Sequence, residues 1–128
     1  LGLVGSEMCI RDRITNSSKI QLVIREYSFH DALKKSGLSD SEFNDLLDFN
    51  LEEKKDTYSQ QDVNRFIGFS YFFNLGFSAK NFTIFKSMAD RGAGFMELVK
   101  NNIDDEKDLD IAIENFTSII GSFISDDI

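Results

Sequence analysis

The stretch from Ser59 to Leu75 constrains the fold more than any other part of the chain. Val63, Phe66, Ile67, Phe69, Tyr71, Phe72, Phe73 and Leu75 cover most of the circumference of a helix drawn through it. A helix apolar over so much of its surface has to be surrounded. The segment from Gln60 to about Leu75 is therefore expected to be the central helix, with its neighbours packed around it. Ser59, followed three residues later by Asp62, reads as its N-cap, and Gly76 supplies its end.

The neighbours can be placed by their caps. Ser28 stands three residues before Asp31 and opens a short helix that buries Phe29, Ala32 and Leu33 and exposes Lys34 and Lys35. Gly37 offers the left-handed residue that ends it. Ser39 and Glu42 form a capping box for a second helix with Phe43, Leu46 and Leu47 on one face. Two short helices joined through Gly37 make a helix-turn-helix pattern. Glu52 to Thr57 is polar and reads as a loop or small wing. Beyond Gly76, Ser78 is expected to start a fourth helix with Phe82, Phe85 and Met88 in register, and Arg91-Gly92-Ala93-Gly94 to interrupt it as a linker turn. Before Ser28, the alternation of Ile20, Leu22 and Ile24 with Gln21, Val23 and Arg25 suits a short strand.

The C-terminal segment has a different period. Leu109, Ile113, Phe116, Ile120 and Phe123 recur at spacings of four and three, a heptad seam of about two repeats. The acidic run Asp104-Asp105-Glu106 lies at its start, where the helix dipole favours negative charge. Gly121 weakens it as an isolated coil. The seam can dock on its own chain or on a second copy, and the pattern does not choose.

Composition sets the outer limits. Of 128 residues, 41% are hydrophobic and 13 are Phe, enough for a real core. A net charge of −8 argues against broad attraction to nucleic acid or anionic membrane. A single Cys excludes an internal disulfide framework, and no run approaches the roughly 18 apolar residues of a spanning helix. The expectation is a cytoplasmic protein with no membrane contact. Residues 1–13 show neither period, and Val4 to Arg13 resembles the translation of a sequencing adapter, a string found fused to unrelated metagenomic reading frames. Setting the segment aside removes Cys9, two bases and two acids, and leaves the net charge at −8.

No catalytic constellation is visible. His30 is the only histidine, with no thiol to pair with. The acids from Asp104 to Asp110 fail the calcium-loop spacing, because Leu109 stands where the turn glycine is needed and Asn115 where the bidentate Glu is needed. Arg91 to Gly94 lacks the Lys-Ser/Thr end of a phosphate loop. We expect no enzyme, no metal and no cofactor.

Tyr58-Ser59-Gln60-Gln61-Asp62-Val63, Leu75-Gly76-Phe77-Ser78, Tyr27-Ser28-Phe29 with Ala32, and Ser36-Gly37-Leu38-Ser39 together resemble the MerR family of transcription regulators over about residues 27–89. The resemblance implies a mainly α fold. Residues 27–90 would form a winged helix-turn-helix domain with a four-helix core, preceded by an arm or short strand at 14–26. A linker and an amphipathic helix would occupy 91–128. It also implies a homodimeric regulator that binds double-stranded DNA. Candidate phosphate contacts are Lys34, Lys35, Lys54, Lys55 and Tyr58. The recognition-helix face would hold Ser41, Glu42, Asn44, Asp45 and Asp48, and the seam Leu109, Ile113, Phe116, Ile120 and Phe123 would join the dimer.

The second helix departs from that family. Asn44 and Asp45 stand where an Arg and an aromatic are expected, Asp56 replaces the wing Arg, and no Lys or Arg occurs from Ser36 to Glu53. Carboxylates repel phosphates and read essentially only cytosine N4. The alternative expectation is a winged-helix-derived module that presents an acidic helix face to a basic protein and does not bind DNA.

Overall fold

The computed structural model describes residues 26–128. The run at Ile20, Leu22 and Ile24, and residues 1–13, lie outside the described residues. The chain is mainly helical and divides into two compact units, Leu1–Ala79 and Lys80–Ile128.

In the first unit, β1 (Glu26–Tyr27) pairs antiparallel with β2 (Tyr58–Ser59), Tyr27 opposite Tyr58. Between them lie α1 (Phe29–Ser36) and α2 (Asp40–Asp48); α3 (Gln60–Asn74) follows. Local chemistry fixes each boundary. The Ser28 hydroxyl accepts the Asp31 amide at 3.1 Å. Ser39 and Glu42 exchange both bonds of a capping box at 3.1 and 3.0 Å, and Ser59 with Asp62 does the same at 3.1 and 2.9 Å. Gly37 ends α1 with φ 78°, returning its amide to the Leu33 carbonyl. The ends of α2 and α3 are closed by one device. Asn50 (φ 59°) and Gly76 (φ 101°) take the left-handed conformation. The next residue donates to the carbonyl five positions back, Leu51 to Leu46 and Phe77 to Phe72. In α3 the accompanying apolar contact is present too, with the Phe72 and Phe77 rings 6.3 Å apart.

The core of this unit is aromatic. Phe43, Tyr58, Phe66, Leu46 and Val63 are fully buried, each contributing roughly 1.5–3 kcal/mol through lost water contact. Phe43 meets Phe29 at 4.9 Å and Phe66 at 5.5 Å, both edge to face. Phe29 itself is only half-buried. The central helix is enclosed on one side rather than all round. Val63, Phe66 and Phe69 point inward, while Ile67, Tyr71 and Leu75, one turn apart, are exposed.

The second unit is a helical hairpin. A short 3-10 helix (Ala79–Phe82) spans the boundary and leads into α4 (Thr83–Lys100), and α5 (Glu106–Asp127) follows after five residues. Ser78 therefore does not open α4, which starts at Thr83 without a side-chain cap. The expected break at Arg91 to Gly94 is also absent, and α4 runs straight through it. The cause is a distant residue. A methyl group placed on Gly92 would lie 3.1 Å from the Phe116 ring, so that glycine permits close packing and makes no turn. Phe116 also stacks on Phe95 at 5.9 Å. These contacts straddle the connection symmetrically, which makes α4 and α5 antiparallel. Among the described residues, no helix is long and apolar enough to cross a membrane.

Candidate functional site

The outward face of α2 is set by what its inward face buries. With Phe43 and Leu46 at 0% exposure, helical geometry turns Asp40, Ser41, Asn44, Asp45 and Asp48 outward together, and all five are exposed. Glu42 is half-buried, and its carboxylate accepts the Ser39 amide as part of the cap. The free acids of the helix are thus Asp40, Asp45 and Asp48. Phe49, 43% exposed, adds an apolar ring at the helix end.

The basic residues expected to touch phosphate are placed differently from one another. Lys34 and Lys35 are exposed in the last turn of α1, where the dipole favours them. Lys54 lies over the Phe29 ring at 5.5 Å. Lys55 is engaged: its ammonium is 2.9 Å from Asp62 and 5.6 Å from the Tyr58 ring centroid. The Asp62 hydrogen bond comes first among the causes that raise its pKa. Tyr58 is a correction. It is fully buried, and its hydroxyl donates to the Glu53 carbonyl at 3.1 Å and accepts the Lys55 amide at 3.0 Å. It holds the 52–57 loop and cannot reach a phosphate.

Behind this loop lies an ion network that the sequence did not disclose. Arg65 forks onto the buried Glu52 with bonds of 2.6 and 2.9 Å and reaches Asp62 at 2.9 Å. Its pKa is raised, chiefly by the hydrogen bonds to Glu52. Burial alone pushes the Asp62 carboxyl up. Hydrogen bonds from Lys55, the Ser59 amide and Arg65 outweigh that and hold it at about 2, against an ordinary 3.8. Arg65 lies three residues beyond Asp62, so that contact could have been read from helix spacing. Glu52 gave no signal, because its partner is thirteen positions away across a loop.

The heptad seam is divided. Leu109, Phe116 and Ile120 are half-buried, whereas Ile113 and Phe123 are 44% and 62% exposed. Phe116 at least is engaged by its own chain, through Phe95 and Gly92. Among the described residues, no group of three His, Cys, Asp or Glu is placed to hold a metal ion.

No protein-family profile matches the chain, and no curated protein sequence matches it significantly.

Proposed function

We propose that the first unit is a helix-turn-helix domain of winged type that binds a basic protein surface through α2, and that it does not read DNA. The observation that carries this is the face of Asp40, Asp45 and Asp48: three exposed carboxylates on one helix with no cation among them. Lys54 and Lys55 lie across the ring stack from that helix, and Lys55 is neutralised by Asp62. Among the described residues of the first unit, three cations (Lys34, Lys35 and Lys54) remain to face phosphate against the three carboxylates of α2. Affinity for a duplex comes from net release of counterions, and a balance near zero leaves almost none. A Lys- or Arg-rich partner gains from the same carboxylates, with Phe49 supplying apolar contact at the edge.

The MerR-type regulator, dimeric and bound to double-stranded DNA, is the second reading. The resemblance favours it, as does the exposed pair Lys34 and Lys35 beside the inter-helix turn. One pair of titrations separates the two. Fluorescence anisotropy of the full chain at low salt would use a labelled Lys/Arg-rich peptide and a labelled duplex. The wild type should bind the peptide, and Asp45→Lys with Asp48→Lys should weaken that binding at least about 10-fold. A duplex bound more tightly than the peptide, or peptide affinity indifferent to the recharged face, refutes the protein-binding reading.

A further inference from the structure

The central helix keeps one face that the described residues leave open. Ile67, Tyr71 and Leu75 follow one another at intervals of four along α3 and are 44%, 60% and 58% exposed. Toward the start of α3 the same face continues through Asn64 and Gln60. It carries no charge. Asp62 and Arg65, the two charged residues of α3, lie on other faces and bond to Lys55 and Glu52.

The first strand leads onto this face. Glu26 of β1 pairs antiparallel with Ser59 of β2, so a chain extended back from Glu26 is directed past Ser59 and onto α3. The Tyr27 hydroxyl donates to the Gln60 side chain at 2.7 Å, and Gln60 donates in turn to Asn64 at 2.9 Å. These bonds tie β1 to the first turn of the open face. Residues 14–25 lie outside the described residues, yet their reach can be compared with the face. At about 3.3 Å per extended residue, residues 24 to 20 span roughly 7–20 Å from Glu26. At about 1.5 Å per helical residue, Ile67 and Tyr71 stand roughly 12 and 18 Å along α3 from Ser59. Four of the five residues from Ile20 to Ile24 are apolar, and none is charged.

We infer that residues 14–25 cover this face, with the apolar stretch 20–24 laid along Ile67 and Tyr71. Tether and charge both favour this occupant over a separate molecule. The segment is joined directly to β1 and meets the face at an effective concentration on the order of millimolar, which a partner or a second copy would have to exceed. The basic partner that suits α2 finds no carboxylate here. An uncharged apolar stretch, by contrast, buries no charge against an uncharged face.

Tyrosine nitration of the full chain tests this, whatever α2 binds. The chain has three tyrosines. Tyr27 and Tyr58 are 9% and 0% exposed, so the rate at Tyr71 reports on the cover. With tetranitromethane and mass spectrometry of the digest, Tyr71 of the wild type should react at least about 10-fold more slowly than in the urea-unfolded chain. Leu22→Asp with Val23→Asp should speed Tyr71 by at least about 5-fold and leave Tyr27 and Tyr58 protected. A peptide of residues 14–25, added in trans, should restore protection to that variant. Ile111→Asp, at an exposed position of the second unit, should change nothing. If the double variant exposes all three tyrosines, a disulfide decides. In a Cys9→Ser background, Leu22→Cys or Val23→Cys should cross-link within the chain to Ile67→Cys at least about 10-fold faster than to Asp45→Cys. Tyr71 as reactive in the folded wild type as in the unfolded chain overturns the inference, as does a folded double variant in which Tyr71 stays slow. Protection lost on dilution assigns the cover to a second copy and overturns it too. So does a cross-link that fails to favour Ile67→Cys.

Discussion

Replacing Arg65 by Ala tests whether the ion network or the aromatic stack holds the 52–57 loop. Truncation removes two bonds to Glu52, at 2.6 and 2.9 Å, and one to Asp62 at 2.9 Å. Asp62 is not stranded, because it keeps the Lys55 ammonium and the Ser59 amide. Glu52 loses its cation, and its side chain is only 1% exposed. Leaving a buried charge unpaired costs about 3–5 kcal/mol when water is shut out. Arg65 itself is 43% exposed, so water enters where it was and the expected loss is nearer 2–3 kcal/mol. Glu52→Gln in the same background should restore part of this, since a neutral amide is cheaper to bury than a carboxylate. The single variants and the double should therefore be coupled by at least about 1 kcal/mol. Urea unfolding at neutral pH measures it. All three tyrosines lie in the first unit and the chain has no Trp, so tyrosine emission follows that unit alone. A loss within about 0.5 kcal/mol of wild type for Arg65→Ala, or strict additivity in the double, would refute the reasoning.

Two further outcomes follow from the same unit. Because Asp62 is held at about 2 in the folded chain against an ordinary 3.8, its contribution is complete above about pH 4 and is lost as pH falls toward 2. Its solvent-reached partners reduce it to about 1 kcal/mol. Asp62→Asn should flatten that part of the stability–pH curve, and an unchanged slope would rule the carboxylate out as its source. Ala at two glycines should have opposite signs in urea unfolding. Gly37→Ala, at φ +78°, should lose about 1 kcal/mol. Gly68→Ala, inside α3 with open space around it, should gain about 0.5–1 kcal/mol, and a common sign would contradict the backbone account of Gly37.

How much could be read in advance depended on how far away the deciding atoms were. Ser28, Ser39, Ser59, Gly37 and Gly76 act on backbone groups within a few residues, so their positions alone located α1, α2 and α3. Gly92 defeated the same logic. A glycine between Arg91 and Ala93 looks like a turn, but its role is decided by the Phe116 ring, twenty-four positions later. Ile67 and Tyr71 failed for a related reason. Apolar residues around a helix say that cover is needed, but whether the cover lies within the chain depends on the paths of the other elements. The acid of α2 was legible because it is local, whereas Glu52 and Arg65 were not because a loop brings them together.

The framework and the surface of α2 are written in different residues. Phe43 and Leu46 fix the helix against Phe29, Tyr58 and Phe66. Asp40, Asn44, Asp45 and Asp48 face outward and have no part in that packing. Surface substitutions of this kind usually change stability by less than about 0.5 kcal/mol. The outward set can therefore change from basic to acidic while the residues that resemble a DNA-binding family keep their places. Resemblance carried by caps and core residues is evidence about the scaffold, and says little about what the scaffold holds. For this chain the scaffold residues and the outward residues point to different partners. The proposed function follows the outward residues, because they are the ones a partner would meet.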